Sequence, residues 1–190
     1  MYWAFTKVSI ITEIYCKLIT VNLKKKDMKK LILLVTLLSV SLSNAQAFKG
    51  SGDNKFQVGA SFQNNATGVN VSYDFGLGEN ISVGVSSSYA LDLSNNMPAD
   101  FIDRFDVKAR FNANLGNVVN IDENFDVYPG LDLSTKNFGG HLGMRYFFSE
   151  GFGLYTELNV PFAKYKTGVL SPAEKLFNQF TVNFGASFNL

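Results

Sequence analysis

Seven side chains within a fifty-residue stretch have types and spacing that could act together: Lys108, Arg110, Asp126, Asp132, His141, Arg145 and Glu157. Three cations, three carboxylates and one histidine suit an interior ion-pair network that fills and stiffens a closed structure. They equally suit a narrow polar path whose charges select small solutes. Other chemistries fail here. A single histidine in the whole chain cannot build a multi-histidine metal site. There is no glycine-rich phosphate loop and no nucleophile elbow, so no catalytic residue, metal ligand or cofactor is assigned.

All seven residues lie in runs where every second side chain is apolar, and between them sit Gly, Ser, Asn or charged residues. In the run from Arg104 to Asn112, Phe105, Val107, Ala109 and Phe111 alternate with Asp106, Lys108 and Arg110. A strand sends successive side chains to opposite faces, whereas an amphipathic helix would space its apolar residues three and four apart. Eight such runs follow Lys55. Their apolar faces begin at Phe56, Val69, Ile81, Phe105, Phe125, Phe138, Phe152 and Phe180, and the last run reaches Leu190. Turn-forming clusters such as Asn64-Asn65, Gly76-Leu77-Gly78-Glu79-Asn80 and Ser149-Glu150-Gly151 separate them. Pro129 in the fifth run predicts a bulge or bend, because proline cannot donate to a ladder. The spacing leaves no room for helices, so the connections are hairpins and the sheet is antiparallel. The expected fold is all-β, an eight-stranded antiparallel up-and-down transmembrane β-barrel.

The runs follow an export signal. Met28-Lys29-Lys30 precedes the apolar stretch Leu31 to Leu38 and the small-residue site Ala45-Gln46-Ala47. The apolar stretch is too short to span a bilayer, which takes about 20 residues. Residues 28–47 read as a signal peptide cleaved after Ala45 or Ala47. Residues 1–27 read as an extension upstream of the true start at Met28, or as a lengthened n-region. Residues 48–190 read as a single barrel domain. That domain carries ten Lys and Arg against fourteen Asp and Glu, so nothing points to nucleic acid. It contains no cysteine, the only one being Cys16, so the sheet must hold the fold without disulfides.

Two kinds of barrel share this alternation, and they differ in which face is wet. A soluble lipocalin-like barrel puts its apolar set inside around a hydrophobic ligand, and an outer-membrane barrel puts it outside. The apolar faces carry aromatics at run ends, including Phe75, Tyr89, Phe105, Phe148, Phe152, Phe162, Phe180 and Phe188. Rings at strand ends suit the headgroup level of a bilayer. The alternate face is small and sparsely charged, which suits a narrow lumen better than a solvated exterior.

Gly76-Leu77-Gly78-Glu79-Asn80-Ile81-Ser82-Val83-Gly84, His141-Leu142-Gly143-Met144-Arg145-Tyr146-Phe147-Phe148 and the closing Phe184-Gly185-Ala186-Ser187-Phe188-Asn189-Leu190 resemble the porin-family or outer-membrane β-barrel domain proteins of Gram-negative bacteria. That resemblance implies an eight-stranded barrel in the outer membrane, insertion by the outer-membrane assembly machinery, and lipid as the surrounding partner. The family's last strand commonly ends in Phe, whereas here Phe188 stands two before Leu190. Some outer-membrane barrels are lipid-modifying enzymes with a His facing the bilayer. His141 has the opposite parity, which places it in the lumen beside Gly143 and Arg145. The expectation is therefore a monomeric, non-catalytic outer-membrane barrel with a structural or interaction role. A soluble ligand-binding barrel and a small pore are the alternatives. Loops 94–103 and 166–178 are the long ones on the expected outer side, and 116–124 is long on the other.

Overall fold

The computed structural model describes residues 46–94 and 97–190. The leader readings on residues 1–45, with Cys16, lie outside the described residues, as do Asn95 and Asn96. Eight strands form one closed barrel in chain order: β1 (Asn54–Gln63), β2 (Ala66–Gly78), β3 (Ile81–Leu93), β4 (Phe105–Ala113), β5 (Phe125–Ser134), β6 (Asn137–Phe147), β7 (Phe152–Lys164) and β8 (Thr181–Asn189). Each pairs antiparallel with its neighbour. Antiparallel pairing of β1 with β8, from Lys55↔Asn189 to Gln63↔Thr181, closes the ring and removes every free edge.

Three local expectations are corrected. Helices do fit between strands: α1 (Phe101–Arg104), α2 (Gly116–Val119) and a 3₁₀ turn (Ala173–Lys175). Each is a single turn, short enough for the polar loops to hold. β2 continues through Gly76 to Gly78, leaving Glu79-Asn80 as the turn, because Gly76 exchanges backbone hydrogen bonds with the segment before β1. Pro129 produces no register shift against β6. The β4–β5 register begins at Gly130, so the missing N–H falls where that ladder has already stopped.

The alternation is inside out relative to a soluble protein. Lys55, Gln57, Asn112, Asp126, Arg145 and Ser187 are buried, while Val85, Leu133, Phe162 and Phe184 are more than half exposed. No helix of the described residues is long and apolar enough to cross a membrane, and the strands run to 9–13 residues. Exposed and half-buried outward rings gather in two bands. Near the rim where β1 begins, called the lower rim, Phe56, Phe188, Phe152, Phe148 and Tyr146 form a chain of ring contacts at 5.3–6.4 Å. Near the upper rim, Phe101 stands 5.6 Å from Tyr89 and 5.5 Å from Phe105, and Phe138 meets Phe162 at 6.1 Å. The apolar cavity of a lipocalin-like barrel is therefore not formed, because the side chains that would line it point outward.

Inward glycines make room for large lumen side chains. A Cβ on Gly143 would lie 2.1 Å from the Tyr128 ring, which packs over it from the paired position. Gly143→Ala is expected to cost about 1–3 kcal/mol through overpacking, measured as a lowered urea midpoint of the refolded barrel. At the closing seam Gly59 pairs with Gly185, and a Cβ on Gly185 would meet the Val58 carbonyl oxygen at 2.2 Å. Both glycines thus serve close approach on the concave face of the barrel.

Candidate functional site

All seven charged residues singled out from the sequence lie on inward positions of β4–β7, and the structure sorts them into two groups. The upper group centres on Arg110. Its Nη2 donates to Glu157 Oε2 at 2.5 Å and lies 3.1 Å from His141 Nε2. Its Nε is 3.3 Å from Asp74 Oδ1. His141 Nδ1 is 3.0 Å from Asp132 Oδ1. The tautomer with its proton on Nδ1 satisfies both histidine contacts, donating to Asp132 and accepting from Arg110. Lys108 sits at the edge, donating to Asn159 Oδ1 at 3.2 Å, with Asp132 at 4.0 Å. Glu157 Oε1 accepts from Asn159 and Asn183, so this carboxylate is held by β4, β7 and β8 together.

The lower group is Arg145 with Asp126. Arg145 Nη2 donates to Asp126 Oδ2 at 2.6 Å and to Asn114 Oδ1 at 2.7 Å, and Asp126 Oδ1 accepts the Gly116 N–H at 2.8 Å. Tyr128 separates the groups. Its ring lies 4.7 Å from the Arg145 guanidinium and 5.9 Å from that of Arg110, and its hydroxyl meets Gln57. A ring face between two cations offers each its negative quadrupole and keeps them apart.

Sequence reasoning missed several members. Asp74 has the same inward parity as Asn70 and Ser72 on β2, so the signal was present in that run. Lys55 likewise lies inward on β1, where it pairs with Asp53 just outside the strand. Asp106 accepts the Ser134 hydroxyl. Among the described residues, no three His, Cys, Asp or Glu side chains gather as metal ligands.

Both mouths are closed by apolar side chains. At the upper rim the β7–β8 loop folds inward and buries Leu176 and Phe177 against Ala66 and Ala90. Phe177 adopts a left-handed φ of 61°, held by its N–H donating to Gln63 and its carbonyl accepting from Asn137. The base of this loop is tied by Lys166 to Glu174 at 2.9 Å. That ammonium and the Ser171 N–H and hydroxyl hold the Glu174 carboxyl down at about 2. The tie is lost as pH falls through that value, and at the alkaline end when the Lys166 ammonium, which Glu174 raises above its ordinary value, gives up its proton. At the lower rim, Ala47 packs with Phe147. A void in the upper lumen, lined by Lys108, Asp132, Asn137, Gly139, Asn159 and Phe177, admits no water-sized sphere. Around that void the polar and charged side chains pack without room for water.

The model of a family described as "Family of unknown function (DUF6646)" matches residues 38–190. No curated protein sequence matches the chain. Among solved structures, a barrel from "De novo design of transmembrane beta-barrels" is similar with a TM-score of 0.51 and 11% identity. The match covers 75% of this chain and 98% of that one. The N-terminal β-barrel domain of Pseudomonas aeruginosa OprF is similar with a TM-score of 0.50 and 10% identity, covering 75% of this chain and 100% of that one. At these identities the likeness concerns the fold, which is that of transmembrane β-barrels.

Proposed function

The chain belongs to the DUF6646 family, and from that premise we propose that it is an integral outer-membrane protein, a monomeric barrel with a structural or interaction role. The observation that carries this reading is the inverted burial: buried Arg110, Arg145, Asp126 and Glu157 inside, exposed Val, Leu and Phe outside. Burying one large apolar side chain contributes about 1.5–3 kcal/mol, so a whole wall of them left in water would forgo the main driving force of folding. Lipid supplies that burial, and an aromatic band near each rim is the pattern that the two interfaces of a bilayer favour. A closed ring leaves no strand edge for pairing with another copy, which supports a monomer. Insertion by the outer-membrane assembly machinery follows from the same reading.

His141 supports the absence of catalysis. Both its ring nitrogens are engaged, by Asp132 and Arg110, which supports a structural histidine over a catalytic base. The tight packing around Lys108 and Asp132 and the apolar side chains at both mouths support a wall rather than a pore. In planar bilayers the purified barrel is expected to give no reproducible conductance steps, and well-defined single-channel events would favour the pore reading instead. The membrane reading is tested by fractionation of cells making the exported chain, with gel mobility before and after boiling. Recovery with the outer membrane and a boiling-dependent shift are expected. A mature form fully soluble in the periplasm without detergent would overturn it.

A further inference from the structure

The segment before β1 belongs to the fold. Ala47 and Phe48 are buried, although they precede the first strand. The Ala47 N–H donates to the Glu123 carbonyl at 2.8 Å, and the Phe48 carbonyl accepts from Asn117 at 3.3 Å. The Lys49 N–H donates to Asp53 at 2.7 Å. Gly52 donates to Gly76, and Gly76 donates back to Asp53. The Phe48 ring lies 5.8 Å from both the Lys55 ammonium and the Arg145 guanidinium, so it caps the lower charge group. Gln46 is exposed.

Two cleavage positions fit the leader, since Ser43 and Ala45 precede one cut as small residues and Ala45 and Ala47 precede the other. They leave different proteins. A cut after Ala47 removes the residue that bonds to Glu123 and puts an α-ammonium on buried Phe48, beside two cations. Desolvation and like charge both oppose that state. A cut after Ala45 leaves the ammonium on Gln46, in water, with every contact of Ala47 and Phe48 kept. The peptidase meets the chain unfolded, so the fold does not guide the cut. A fold that uses Ala47 nonetheless requires it in the mature chain.

We infer that the leader is removed between Ala45 and Gln46, and that residues 46–53 then form a stopper in the lower mouth. This rests on the exported reading above. The test is mass spectrometry of the N-terminal peptide from protein purified out of the membrane fraction. A mature chain beginning at Gln46 is expected. A chain beginning at Phe48 overturns the inference and leaves export intact, whereas an uncleaved chain beginning at Met28 or Met1 overturns export itself. The stopper has its own test in limited trypsin digestion of the folded mature barrel. Phe48→Ala is expected to speed cleavage after Lys49 by about tenfold or more, because proteolysis follows the population of the opened segment. Equal rates would overturn the stopper.

Discussion

Arg110→Met is expected to lower the stability of the folded barrel by about 3–5 kcal/mol, the cost of breaking a buried ion pair by removing one partner. Arg110 contacts two carboxylates, Asp74 and Glu157, and is the hydrogen-bond donor to His141. With methionine in its place, both carboxylates remain buried without their cation, and the histidine nitrogen loses its donor. The measurement is the urea transition of the chain refolded in lipid vesicles or detergent. Adding Asp74→Asn and Glu157→Gln to the same chain removes the stranded charges, and is expected to recover most of the loss, because replacing a whole buried ionic group is often neutral. A single variant within about 1 kcal/mol of the parent would mean that water or ions reach the lumen and screen it.

Leu142→Arg is expected to be of similar size for the opposite reason. Leu142 lies at the middle of β6, opposite Leu158 on β7, and points outward. A cation on the lipid face costs about 2–4 kcal/mol at the bilayer midplane. In a water-soluble barrel the same surface substitution would stay within about 0.5 kcal/mol. Folding into vesicles of the parent and variant, followed by boiling-dependent gel mobility, separates the two. An unimpaired Leu142→Arg barrel would overturn the lipid-facing wall.

The strands were legible because alternation is a local property. Phe105, Val107 and Phe111 against Asp106, Lys108 and Arg110 can be sorted by parity without knowing anything else about the chain. The inward placement of all seven candidate charges was legible for the same reason. Asp74 is equally readable, since it shares the inward parity of Asn70 and Ser72 on β2. The turn at Glu79-Asn80 was misplaced because Gly76 and Gly78 resemble turn residues, while their backbone groups in fact pair with β3 and the segment before β1. The stoppers were not legible. Phe48 and Phe177 lie outside the alternating runs, where no periodicity says which way a ring points.

The order of residues thus specified which side chains share a face, because successive Cβ atoms on a strand alternate whatever the strand packs against. Which charges meet was decided by closure. Arg110 reaches Glu157 across 47 residues, Tyr128 reaches Gln57 across 71 and Tyr155 reaches Asn70 across 85. Those distances in sequence become hydrogen bonds only when β1 pairs with β8 and a flat sheet becomes a ring whose inner faces look at one another. The same closure sets Tyr128 between Arg110 and Arg145, and it creates the two mouths that Phe48 and Phe177 fill.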